Sequence, residues 1–211
     1  MGSLITAWTL ALALGVRHAS EPDHLVAVST LVAGEPNARR AARLGAIWGI
    51  GHSLALLVVG GALLVLHGQL SVRMAAVFEL GVAGMLLLLG FRSIARAVQI
   101  RRGESGHEHG HGHMYGGWRS LSVGLVHGLA GSGALTALAL ASMPSLGSGL
   151  VYMVCFGLGS VVGMAALSGL IGVPLSRACS RLQLRAAALA TTGLLSVVVG
   201  LAWGWPLLSR V

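Results

Sequence analysis

Lysine is absent: all fourteen basic residues of this chain are arginine. The phosphate-binding P-loop needs a lysine to reach the β- and γ-phosphates, so ATP hydrolysis by that device is excluded and any driving force must come from a gradient or a partner. Charge of either sign is scarce, at 9% of 211 residues, and aromatic residues make up only 5%. An outer-membrane barrel would carry aromatic girdles and alternating apolar positions, and neither is present. The two cysteines, Cys155 and Cys179, form no CxxC and fall in or beside apolar segments, which reads as small packed thiols rather than ligands or a redox pair. No basic residue precedes the first apolar run, Leu4 to Val16, and no cleavage site follows it; a retained membrane segment is expected there rather than a signal peptide.

What the chain does have is oil. It is 55% hydrophobic with a mean hydropathy of +0.83, and 32 of its residues are glycine. This is the composition of a membrane protein whose helices approach closely through small residues, so the fold expected is all-α and embedded in the bilayer. The net charge of +8, fourteen basic minus six acidic, then reports arginines gathered in loops rather than a nucleic-acid surface.

About 20 apolar residues cross a bilayer. Five stretches qualify plainly: Leu44 to Leu66, Met74 to Phe91, Leu121 to Ala141, Leu146 to Leu175 with Pro174 near its end, and Leu184 to Leu208. The sixth is assembled from Leu4 to Val16 and Leu25 to Ala33, too short separately, with a polar patch between them. Six membrane helices are expected, the first broken near Pro22. Arg39, Arg40 and Arg43, then Arg96, Arg101, Arg102 and Arg119, then Arg177 and Arg181 follow spans one, three and five. By the positive-inside rule these loops are cytoplasmic and both termini lie outside.

The halves echo each other. LGVRHASEPDHL around His18 aligns with VGLVHGLAGSGAL around His127 at an offset of 109, WGIGHS from Trp48 aligns with FGLGSV from Phe156 at 108, and the third spans align through Gly81 and Gly193. Three spans per repeat would turn the repeats upside down relative to one another, an arrangement of transporters with a site near the midplane. The expected organisation is a first three-helix repeat at 1–99, a His-rich loop at 100–117 and a second repeat at 118–211.

Within the polar patch, Arg17, His18, Glu21, Asp23 and His24 lie inside eight residues. Arg17 and Asp23 near the bilayer centre cost roughly 2.5–3.5 kcal/mol each before compensation, so such residues are functional by default. A structural alternative is an Arg17–Glu21 ion pair one turn apart. As ligands, His18 and Asp23 would lie about 140° apart on a regular helix, and His18 and His24 about 120° apart. Pro22 has no N–H for the His18 carbonyl and disfavours helical geometry at Glu21, so the helix can open, gather the three side chains and free carbonyls as further ligands. His52, in WGIGHS, is the expected fourth contributor; Glu21, Glu79 and His127 are weaker candidates. Imidazoles with one or two carboxylates and no thiolate suit Ni(II), Co(II), Zn(II) or Cu(II), without choosing among them.

These residues carry a family resemblance. His18 followed by Asp23-His24 matches the HxxxxDH signature of the nickel/cobalt transporter superfamily, and HASEPDHLVAVST, GIGHS and VHGLAGSGAL resemble its short branch of urease-accessory-type nickel permeases. The resemblance covers nearly the whole chain outside the loop. It implies that His18, Asp23, His24 and His52 form or line the path of Ni2+ or Co2+ as transported ion, with no organic cofactor and no enzymatic activity. Relative to the eight-span members, two spans are missing and Gly131-Ser132-Gly133 stands where they carry an acidic motif.

The loop RRGESGHEHGHGHMYGG holds His107, His109, His111 and His113 among glycines; such a tract builds no core and is expected to buffer metal loosely in the cytoplasm. Expected surroundings are the cell's inner membrane, with lipid and the metal ion as partners, a cytoplasmic metallochaperone as a candidate recipient, and no nucleic acid; oligomeric state is not legible. Competing readings are export of the same ions by proton antiport, a haem-binding cytochrome subunit, and a metal receptor without transport.

Overall fold

The computed structural model describes residues 2–33, 35, 37–103, 112–178 and 181–211, with the side chains of 112–115, 132–137, 140–142 and 178 outside the description. Among the described residues all regular structure is helical. Helix α1 is Gly2–His18, α2 Pro22–Val32 and α3 Ala38–Ala55, which runs on through a π-helical turn, Leu56–Gly60, into α4, Gly61–Val65. Then come α5 (Val72–Arg101), α6 (Gly112–Ser142), α7 (Leu146–Ala178), α8 (Leu182–Gly204) and a closing 3₁₀ segment, Trp205–Arg210.

Four helical stretches among the described residues are long and apolar enough to cross a membrane: Ala38–Val65, Val72–Arg101, Leu146–Arg177 and Leu182–Arg210. Helix α6, of 31 residues, contains the expected span at Leu121 to Ala141. The first segment differs: α1 and α2, of 17 and 11 residues, would reach about 25 and 16 Å at 1.5 Å per residue, each short of a hydrocarbon core of about 30 Å. Among the described residues seven principal helices therefore stand where six spans are expected, because the broken first span consists of two separate helices.

Glycines decide how the helices meet. On α1, a Cβ at Gly15 would strike the Phe156 carbonyl and come within 2.8 Å of the Ser160 nitrogen; on α6, a Cβ at Gly124 would strike the Trp48 carbonyl and come within 2.9 Å of the His52 nitrogen. Gly159 is pressed against Leu12 and Gly51 against Leu121 in the same way. Thus α1 runs parallel to α7, and α6 parallel to α3, at distances that exclude side chains. Helices α3 and α7 run antiparallel, with Gly49 against Val161 and the Ser53 hydroxyl donating to the Gly157 carbonyl at 2.9 Å. Helices α5 and α8 also run antiparallel, tied by Ser93 Oγ to the Leu189 carbonyl at 2.8 Å and Ser196 Oγ to the Leu86 carbonyl at 2.7 Å.

The buried core nearest the chemistry joins Ala19, Ala27, Val28, Trp48, Val82, Leu86, Leu89, Val123 and Met164. Many exposed side chains are apolar, Val58, Val162, Leu170 and Leu194 among them, as lipid-facing helices require. Cys155 is half-buried on α7, and Cys179 lies outside the described residues.

Candidate metal centre

The break in the first segment has a local cause. Helix α1 ends at His18, where the Ser20 and Glu21 amides close a tight turn onto the Arg17 and His18 carbonyls at 2.9 and 3.0 Å. Glu21 is extended, at φ −64° and ψ 148°, and caps α2 with Pro22 in its first turn. Proline is favoured there because the missing N–H is one of the helix's unpaired donors. The expectation that the opened turn frees carbonyls is corrected at these positions: Arg17, His18 and Glu21 all have their carbonyls engaged, the last by the Leu25 amide at 2.9 Å.

This turn projects side chains toward one point. His18 comes from the end of α1, Asp23 and His24 from the first turn of α2, His52 from the last turn of α3 and His127 from the middle of α6. Asp23 places its charge where the α2 dipole favours an anion. One donor atom from each of His18, His24 and His52 lie within 4.8 Å of one another, and the same holds for Asp23, His24 and His127. With metal–nitrogen bonds of about 2.1 Å, donors so spaced need move inward by at most about 0.7 Å to enclose an ion.

The hydrogen bonds sort the nitrogens. His18 Nδ1 faces Glu21 Oε1 at 3.0 Å, and His24 Nδ1 faces Asp23 Oδ1 at 3.1 Å. His18 Nε2, His24 Nε2 and both nitrogens of His52 are buried without a hydrogen-bond partner. A carboxylate on one ring nitrogen fixes the ring and leaves the other for a metal. Unmet burial of this kind costs about 1–3 kcal/mol per group. Glu21 thus pairs with His18, not with Arg17, which is exposed.

Asp23 is a junction. Its second oxygen accepts from His127 Nε2 at 2.7 Å, joining α2 to α6. His127 had been a weaker candidate, yet it is 2% exposed and 4.1 Å, centroid to centroid, from His24. Exposure falls along the cluster, from Glu21 at 53% of its side chain through His18 at 17% to His24 at 2%. Aromatic walls close it: Phe156 lies 5.3 Å from the His18 ring and Trp48 5.7 Å from the His127 ring. Neither wall was anticipated, although the alignment of WGIGHS with FGLGSV placed them in register. Glu79, on α5, belongs to neither donor group; α5 supplies Val82, Leu86 and Leu89 to the surrounding core instead. His107, His109 and His111 lie outside the described residues, as does the His113 side chain.

No family model matches the chain, and no solved structure matches it. It is 32% identical to the urease accessory protein UreH of Bacillus sp. (strain TB-90), over 94% of this chain and 90% of that protein. It is also 30% and 27% identical to the Arabidopsis thaliana chloroplast proteins FOR GROWTH AND FERTILITY 2 and 1, over 80% and 81% of this chain. The aligned region spans about half the length of each plant protein, 47% and 50%. The likeness to UreH covers nearly the whole of both proteins, and by it the chain belongs to the UreH family, the urease-accessory-type branch that its HxxxxDH and GIGHS segments resemble.

Proposed function

We propose that the chain is a multi-pass permease of the cell's inner membrane that carries Ni2+, or Co2+, into the cytoplasm. The observation that carries this reading is the convergence of three imidazoles, His18, His24 and His52, with unpartnered buried nitrogens at a break between two helices. Three nitrogen donors suit a late first-row divalent ion. The urease link in the UreH name and the nickel family of the motifs narrow that class to nickel first, cobalt second. Asp23 and Glu21 orient the rings, and Asp23 also supplies negative charge close to a doubly charged cargo. A haem between paired imidazoles is disfavoured, since the site rings pack within 4.1–6.0 Å of one another and leave no slot for a porphyrin.

The spans form two inverted three-helix repeats in this reading. The support is contact by contact: Gly15 on Phe156 and Ser160 is matched, at the alignment offsets, by Gly124 on Trp48 and His52, and Gly159 on Leu12 by Gly51 on Leu121. His18 against Phe156 is likewise matched by His127 against Trp48. Both termini lie outside and the His-rich loop is cytoplasmic, where it buffers arriving ions before a metallochaperone collects them. Inward movement of a divalent ion across about 100 mV releases roughly 4.6 kcal/mol, enough for about a thousandfold accumulation without a coupled proton.

The test is radioactive nickel entry into proteoliposomes clamped inside-negative, with His24→Ala alongside. Saturable entry that the variant lacks is expected. Nickel binding without entry would make the protein a receptor, and entry only against the potential with a proton gradient would make it an exporter.

A further inference from the structure

The two donor groups share His24, and that sharing says more than either group alone. The geometry points to a second coordination position, formed by Asp23, His24 and His127, that adjoins the three-histidine position and is mutually exclusive with it, so that one ion is handed across the His24 ring. This rests on the permease reading and concerns how its site works.

His24 is the middle ring, 4.4 Å from His18 on one side and 4.1 Å from His127 on the other. Its Nε2 is buried and unpartnered, while its Nδ1 lies 3.1 Å from Asp23. A neutral imidazole has one in-plane lone pair, on whichever nitrogen lacks the proton. Ligation through Nε2, in company with His18 and His52, leaves the proton on Nδ1, where Asp23 accepts it. Ligation through Nδ1, in company with Asp23 and His127, needs that hydrogen bond given up. One ring therefore serves one position at a time.

The positions also differ in charge. Three neutral imidazoles leave a divalent ion with its full charge, whereas the Asp23 carboxylate compensates half of it. Against that gain stand the two hydrogen bonds of Asp23, at 2.7 and 3.1 Å, which the ion must replace. The opposition lets an ion leave either position, which a path requires and a storage site does not. His127 fits a ligand as well as a positioning group: its Nε2, held 2.7 Å from Asp23, is the nitrogen the ion would take, with the ring proton then on Nδ1.

The experiment uses the full chain in detergent, with Ni2+ counted by equilibrium dialysis, Co2+ as a spectroscopic probe, and the count for His24→Ala subtracted so that loop binding cancels. One ion per chain is expected in the parent. His52→Ala, or His52→Gln if the alanine variant fails to fold, should keep one ion with a shifted cobalt spectrum. His127→Gln should keep one ion with the parent spectrum and lose at least tenfold in proteoliposome uptake; its amide can still donate to Asp23, so a residue that merely held Asp23 would be rescued. Two ions in the parent, loss of the ion in the His52 variants, or parental uptake in His127→Gln would each overturn the proposal. Binding and uptake unchanged in His24→Ala would overturn instead the permease site itself.

Discussion

Asp23 and His127, 104 residues apart in the chain, meet at 2.7 Å in the buried centre of the bundle. The contact ties the helix break in the first half to the middle of α6 in the second, and it makes Asp23 the acceptor for two imidazoles rather than a lone charge.

Asp23→Asn should therefore abolish nickel uptake while expression stays close to normal. The amide has nearly the shape of the carboxylate, but one of its two ends is a donor, so both contacts survive only if His24 or His127 switches tautomer, and the compensating charge is gone in either case. Proteoliposome flux at the parental rate would remove Asp23 from the mechanism.

Gly124→Ala should destabilise the fold by roughly 1–3 kcal/mol, the usual penalty of overpacking, because the new methyl meets backbone atoms of Trp48 and His52. Gly81→Ala is the matched control: nothing lies within 4 Å of its would-be Cβ, so it should be neutral or stabilising by up to about 1 kcal/mol. Thermal unfolding in detergent compares the two, and equal midpoints would contradict the packing described.

Pro22→Ala should change nickel affinity by less than about tenfold. The extended Glu21 and the turn onto Arg17 and His18 hold the break, and an alanine at the helix start adds only an unpaired donor. A loss of tenfold or more in a binding titration would return the break to the proline itself.

Replacing His107, His109 and His111 with serine should lower the number of loosely bound nickel ions and leave the initial uptake rate intact. Loss of uptake would give the loop a role in the path.

Much of this site was legible because it violates its surroundings. Charged residues between two half-length apolar runs announce a break, Pro22 among them marks where the second helix starts, and His52 stands out in the same way on α3. His127 was visible only through the echo of His18, and without that echo a single membrane histidine points nowhere. Other features depend on geometry that periodicity does not reach. Glu21 sits four residues from Arg17 and three from His18, and the turn that ends α1 decides between them. The π-helical turn Leu56–Gly60, just beyond His52, has no proline to announce it. Glu79 carried a charge into an apolar stretch, as Asp23 does, but no second helix delivers partners to it within either donor group.

Arg17, Ser20 and Glu21 are exposed at the α1–α2 junction, between two helices whose other exposed side chains are mostly apolar. Hydrocarbon cannot solvate such groups, so with this junction inside the bilayer, as the permease reading has it, lipid headgroups and water would dip inward to meet them. In the proposed permease the bilayer would then not be a uniform slab: it would thin on this flank, and an ion approaching Glu21 would travel through that dent still largely hydrated. Desolvation would begin at His18, well below the level of the surrounding membrane surface.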